Sequence, residues 1–236
     1  MNNTVAHSSL NIELENSRFM SGVYRWMTMG ILLTAVISFF VGNSRSMVEA
    51  ILTNKILFYG LLIGEIGLVI FLSAAINKLS ALSATLIYLF YSALNGVTLS
   101  IIFLIYTQDS IFSVFLTTAV AFGGLSAFGY VTKKDLGPIG TFCTMGLWGL
   151  IGFGLLSFFF PSLMSARTSW VYNVIGLIIF SGLTAYDTQK IKNSNIIGNE
   201  GTEEDHKETI LGALTLYLDF INLFLFLLRL MGGRRR

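Results

Sequence analysis

The chain has 236 residues, of which 54% are hydrophobic and 12% charged, with a net charge of +2 and a mean hydropathy of +0.72. Soluble domains carry about 25% charged residues, so this composition excludes an ordinary soluble protein and points to a polytopic membrane protein. No basic face interleaved with aromatics is present, which argues against a nucleic-acid partner, and the single cysteine, Cys143, rules out an intramolecular disulfide or a cysteine-based metal site.

Windows of about 19 residues predict seven membrane-spanning helices, near residues 23–41, 56–76, 83–106, 111–131, 139–160, 170–191 and 210–230. Residues 1–22 form a short leading segment and 231–236 a basic tail, whose three arginines suit lipid headgroups. The first span is followed by "GNSRS", which lacks the small-x-small pattern of a cleaved signal. The links are short, the longest being about 192–209. With no room for a soluble domain, any chemistry or transport must happen inside the bundle.

Basic residues near the span ends orient the chain. Arg18, Arg25, Lys78, Lys133, Lys134, Lys190, Lys192 and Lys207 fall on the N-terminal side, against Arg45, Lys55 and Arg167 opposite. That asymmetry predicts a cytoplasmic N-terminus. Arg229 and Arg234 to Arg236 oppose it, unless the seventh span is re-entrant. Tyr24 with Trp26, and Trp170 with Tyr172, read as interfacial anchors.

Polar residues inside the spans carry the functional signal, because a carboxylate at the centre of a membrane helix costs roughly 2.5–3.5 kcal/mol on insertion scales. Glu65 interrupts the second span, Asn95 the third, Asp187 ends the sixth, and Asp219 and Asn222 lie in the seventh. Thr215, Asp219 and Asn222 share one helix face, as do Thr184 and Asp187. At 1.5 Å per residue, Asp187 lies ~6 Å and Asp219 ~14 Å from the intervening link. Contact between them is therefore permitted, though spacing alone does not require it. A structural reading stands beside each: Asp187 can snorkel beside Lys190, Asp219 can be a structural hydrogen-bonding group, and Glu65 can pair with a polar neighbour. The glycines at 60, 64, 67, 146, 149 and 152 read as close-packing positions. His7 and His206 fall outside the spans and read as solvated, so a zinc or di-iron site is not expected.

Three functions fit. The carboxylates can line a path for Ca²⁺, protons or other hard cations, with Glu65, Asn95, Asn222, Thr215 and Thr184 as further path residues. Two membrane aspartates can form a protease dyad. That reading suffers because Leu216, Tyr217 and Leu218 replace the Gly-x-Gly that precedes the second aspartate of intramembrane aspartyl proteases. Finally, the chain can be a membrane regulator of a partner complex, without chemistry of its own.

Two segments carry a resemblance: "TAYDTQKIK" at 184–192 and "GALTLYLDFINLFLFLLRL" at 212–230. With "FMSGVYRWMTMGILLTA" at 19–35 and "NGVTLSIIFLIYT" at 95–107, they make nearly the whole chain resemble the transmembrane Bax inhibitor-1 motif family, bacterial branch. The resemblance implies an all-α seven-helix bundle with the C-terminal helix central. It implies a bacterial inner-membrane protein that is not an enzyme and needs no cofactor, with Ca²⁺ as the permeating ion. It also implies a pH-sensitive calcium leak, with Asp187 and Asp219 as the pH sensor and gate and as transient calcium ligands. Regulation of a membrane-bound ATP-dependent protease is the alternative it offers. Members of that family often place a basic residue near the cytoplasmic end of span two; here Ala74 and Ala75 are neutral, and Lys78 is the nearest candidate for a basic partner.

Overall fold

The computed structural model describes residues 2–235, with side chains from Ile12 onward. Among the described residues nine α-helices follow in order: α1 (Asn2–Asn43), α2 (Arg45–Thr53), α3 (Lys55–Ala75), α4 (Ala81–Leu99), α5 (Ile102–Ile105), α6 (Gln108–Val131), α7 (Gly137–Phe159), α8 (Ala166–Ser194) and α9 (Glu203–Met231). Seven stretches are long and apolar enough to cross a membrane, with α4 and α5 forming one of them. Pairing outside helices, among the described residues, amounts to one isolated bridge between Tyr106 and Arg234. The fold is thus an all-helical membrane bundle, as composition and span count require.

The helix starts follow local chemistry. Asn54, Ser80, Thr107, Ser165 and Thr202 each stand just before a helix, and each side-chain oxygen accepts the amide three residues on. These are N-caps, each typically contributing about 1 kcal/mol. Both prolines also stand at helical starts, Pro138 opening α7 and Pro161 opening a single turn, where a missing amide hydrogen costs nothing.

Three details depart from the sequence reading. The third span is broken after Leu99: the Ser100 hydroxyl donates to the Val97 carbonyl at 2.6 Å, and the backbone tightens to bonds three residues apart at Phe103 and Leu104. The link between the last two spans shrinks to residues 195–202, because α8 and α9 both run past their apolar cores. The short helix α2 fills the first interhelical link, burying Val48 and Ile51.

The chain divides into two compact units: Met1–Ile105 with Ile191–Tyr217, and Tyr106–Lys190 with Leu218–Arg236. Helix α9 contributes its first half to one and its second half to the other. It is the most buried span, with 72% of its apolar window covered, against 11% for α3. Leu214, Leu216, Tyr217, Phe220 and Leu223 are all nearly inaccessible, while Leu211, Thr215, Leu218, Asn222 and Leu225 form one half-buried stripe. Asp219 lies off that stripe and is buried, and a covered side of a membrane helix can carry a carboxylate that a lipid-facing one cannot.

In the first unit α1 closes on α4 through glycine. A Cβ at Gly96 would fall 2.8 Å from the Thr34 carbonyl. In the second unit Gly129 lets α6 meet the backbone of α8 at Ala185, and Gly182 admits the Cys143 sulfur. The glycines that do this work differ from those expected. Among the six expected, only Gly146 packs tightly, 2.7 Å from Ile179, whereas nothing lies within 4 Å of a Cβ at Gly60, Gly67, Gly149 or Gly152. Spacing alone cannot say which face of a helix meets a neighbour.

The tail is docked rather than free. Gly233 donates its amide to Ser110 Oγ at 2.7 Å and accepts from the Thr107 amide at 3.1 Å, and Arg234 bridges Tyr106. It ends beside the α5–α6 connection, which is where an odd number of crossings must leave it. Continuous from Glu203 to Met231, α9 is roughly 43 Å long at 1.5 Å per residue, long enough to cross a hydrocarbon core of ~30 Å without re-entering.

Candidate functional site

Two buried acidic centres stand out, one in each unit. The first is in the second unit, where α8 carries Asp187 and α9 carries Asp219. Their carboxyl groups stand close enough to act on each other; a hydrogen bond between them needs a proton on one of the two, because an ionised carboxylate only accepts. Asp219 is 4% exposed and its Oδ2 has no hydrogen-bond partner, whereas Asp187 is half-buried. Approach to the pair is therefore from the Asp187 side.

Neighbouring side chains hold Asp187 in place. Thr188 bonds Ser126 on α6 at 2.9 Å and its own helix at Thr184. Gln189 accepts from the Leu136 amide at 2.9 Å and donates to the Lys134 carbonyl at 2.8 Å, tying the α6–α7 link to α8. Tyr186 lies against Gly140, where a Cβ would collide with its ring. The cation acting on Asp187 is Lys190, one turn along α8, whose ammonium also sits 5.8 Å above the Tyr186 ring. Lys78 lies in the other unit, exposed, with no ion pair among the described residues. The pair meets although Asp219 lies far deeper along its helix, because α9 extends ~13 Å further than α8 toward their link, a span that eight residues can cover.

The second centre is Glu65 in the first unit. Only Glu65 and Leu72 of α3 are buried, so the helix turns its carboxylate inward and leaves apolar residues to the lipid. Asn95 Nδ2 donates to Glu65 Oε2 at 3.3 Å, and the Thr98 hydroxyl donates to Oε1. Tyr217 donates to Asn95 Oδ1 at 3.0 Å, which fixes the orientation of that amide. Thr34 donates to the Ser92 carbonyl and lies 2.7 Å from the Tyr217 hydroxyl. Three oxygen contacts thus share two hydroxyl hydrogens. The chain from Thr34 to Glu65 joins α1, α9, α4 and α3.

Other candidates are placed differently. Thr184, Thr215 and Asn222 each donate to a carbonyl four residues back on their own helix. Helical spacing put them on the right faces, yet their donors are spent on backbone. Sequence reasoning missed Tyr217, Thr98 and Gln189. An embedded tyrosine at the face of Asn95 leaves no pattern in a single chain, whereas Thr98 is one turn from Asn95 and legible in hindsight. His206 is a correction: instead of standing in solvent it is half-buried on α9, 3.0 Å from Thr85 and edge-on to Trp26. The reason is that α9 begins seven residues before its apolar core, so His206 is helical and packs. His7 lies outside the described side chains.

The family model described as inhibitor of apoptosis-promoting Bax1 matches residues 16–236. The inner membrane protein YbhL of Escherichia coli K12 is 49% identical over 218 residues, covering 92% of each chain. An uncharacterized protein of Borreliella burgdorferi is 41% identical over 222 residues, 94% of each chain. An uncharacterized membrane protein of Streptococcus pyogenes serotype M1 is 35% identical over 234 residues, 98% of this chain and 99% of its own.

Proposed function

Because the chain belongs to the Bax inhibitor-1 family, we propose that it is a proton-gated cation leak in which Asp187 and Asp219 form the gate and Ca²⁺ is the permeating ion. The observation that carries this reading is the closeness of two carboxyl groups, one on α8 and one on α9, at a site where Asp219 is sealed from solvent. With its proton, the pair is a neutral latch between α8 and α9. Without it, two negative charges face each other in a medium of low dielectric, where repulsion is far stronger than in water. Either the helices part or a cation enters to screen them. Both outcomes change the state of the bundle.

Calcium suits the site because its preferred ligands are hard oxygens, six to eight in number. Two carboxylates supply at most four, so the ion is held in passing and not stored. Glu65, with the amide of Asn95, supplies a second oxygen centre on the path. The reading involves no catalysis and no resident cofactor. The E. coli relative is named as an inner membrane protein, and we place this chain in a bacterial inner membrane with its N-terminus cytoplasmic, as its basic residues favour.

The test is flux from liposomes loaded with a calcium dye, from pH 5 to pH 8, using the purified protein. The expected result is flux with a sigmoidal dependence on pH. Asp187→Asn and Asp219→Asn should each flatten the curve, since either leaves one carboxyl without its titrating twin. Unchanged curves in both variants, with the protein folded and inserted, would overturn the gate. Absence of flux from intact protein would leave regulation of a partner as the better account.

A further inference from the structure

Three elements of the first unit meet on the ring of His206. The Nε2 nitrogen lies 3.0 Å from Thr85 Oγ1 on α4. The ring meets the Trp26 indole of α1 edge-on, with centroids 5.7 Å apart and planes at 86°. The donor in the Thr85 contact follows from hydrogen counting. Thr85 has one hydroxyl hydrogen with two atoms in reach, the Ala81 carbonyl at 2.9 Å and Nε2 at 3.0 Å, and we assign it to the carbonyl, which can only accept. Thr85 therefore accepts, and Nε2 of His206 carries the hydrogen. In the neutral ring Nδ1 is then the bare nitrogen. A proton arriving there makes the ring a cation without breaking the bond to Thr85.

Charged groups surround the ring. Trp26 and His206 line a cavity of about 250 Å³ into which α1 brings Glu15, Arg18 and Arg25, the 195–202 link brings Glu200, and α9 brings Asp205. Three carboxylates thus stand against two guanidiniums, and an imidazolium evens the count. From α4 no charged group arrives: Thr85 is neutral, and the Glu203 carboxylate at its start is occupied by the Ala81 amide. Lys207, next along α9, lies 3.9 Å from Glu204. The acids of the cavity also hold the link itself. Arg18 grips both oxygens of Glu200 at 2.8 and 3.1 Å, Asp205 accepts the Gly201 amide at 3.0 Å, and Glu15 accepts the Gly198 amide.

We propose that His206 is a second proton-operated device, separate from the carboxyl pair: a clasp that draws the 195–202 link onto α1 when its ring is protonated. Histidine is the side chain whose charge ordinarily changes between pH 5 and 8, and this one touches α1 and α4 and stands beside the link that leads from α8 into α9.

Trp26 reports on the clasp directly. With Trp148→Phe and Trp170→Phe, Trp26 is the remaining tryptophan, and its emission can be followed in phosphatidylcholine vesicles across that pH range. An imidazolium at this distance quenches indole more than a neutral ring does, so emission should fall on acidification along a one-proton curve. His206→Gln keeps an amide able to donate to Thr85 but cannot titrate, and the curve should vanish. Thr85→Val removes the acceptor; because a charged donor loses more than a neutral one, the midpoint should move to lower pH. A midpoint moving upward would mean that Thr85 donates, and would overturn the assignment. Asp187→Asn with Asp219→Asn should leave the curve in place, and its loss there would overturn the claim of a separate device. A flat curve in the parent would overturn the proposal outright. Hydrogen exchange in residues 195–202, corrected for its intrinsic pH dependence, should slow on the acid side in the parent and not in His206→Gln. Equal slowing in both would remove the clasp.

Discussion

The two units each bury carboxylate chemistry, and they treat it in opposite ways. In the second unit an acid faces an acid, Asp187 beside Asp219, and in the proposed gate a shared proton is what holds them together. In the first, Glu65 meets an amide and a hydroxyl that both donate to it. Such a carboxylate keeps its partners whether or not a proton is present. The lesson is that burial alone does not make an acid a pH sensor. The partner decides: another acid makes proton occupancy and structure the same variable, and a set of neutral donors uncouples them.

That contrast can be broken first by steric means. Gly129 lets α6 reach the Ala185 backbone two residues before Asp187, and any side chain there meets main-chain atoms that cannot give way. Gly129→Val should destabilise by about 1–3 kcal/mol or more, the range of overpacked cores, seen as a lower thermal midpoint in detergent. Whatever folds should have lost the pH dependence of flux. A full-strength pH curve in this variant would show that the seam does not position the pair.

A sharper cut compares Asp219→Asn with Glu65→Gln in the same calcium-flux measurement. The first should abolish the pH curve, while the second should keep its midpoint and lower its amplitude several-fold. Glutamine can accept from Asn95 and donate to the Thr98 hydroxyl, so its fold should survive. A shifted midpoint in Glu65→Gln would mean that the two centres titrate together, and an unchanged amplitude would reduce Glu65 to a structural role.

Tyr217→Phe tests the first unit alone. It strips Asn95 Oδ1 and Thr34 of a partner, and unsatisfied buried polar groups cost roughly 1–3 kcal/mol. Thermal melting should show that loss, with the flux midpoint unmoved. The smallest effect is expected at Gly149, where a Cβ meets nothing within 4 Å. Gly149→Ala should raise stability by up to about 1 kcal/mol through helix propensity, and leave flux alone. A clear loss of stability there would mean that α7 has a close neighbour at this face.

Much was legible before any coordinates. Seven apolar runs set the number of spans and made them helical, because backbone polar groups in lipid must be satisfied within each segment. The cost of a charge in lipid singled out Glu65, Asp187 and Asp219 as inward-facing, and the structure buries or half-buries each of them. These are local or one-body properties, written in composition and period.

What only the tertiary structure decided is pairwise. That Asp187 reaches Asp219 depends on the offset of α8 and α9, which the link permits and does not dictate. That Glu65 finds Asn95 and Thr98, that Gln189 ties down the α6–α7 link, and that His206 leaves solvent for Thr85 and Trp26 all depend on which helix faces which. The packing glycines make the same point: Gly129 and Gly96 close seams while Gly60 and Gly149 stand open, although all four read alike in the chain. Helical period assigns a residue to a face of its own helix, but the neighbour opposite that face is chosen by the packing of the whole bundle.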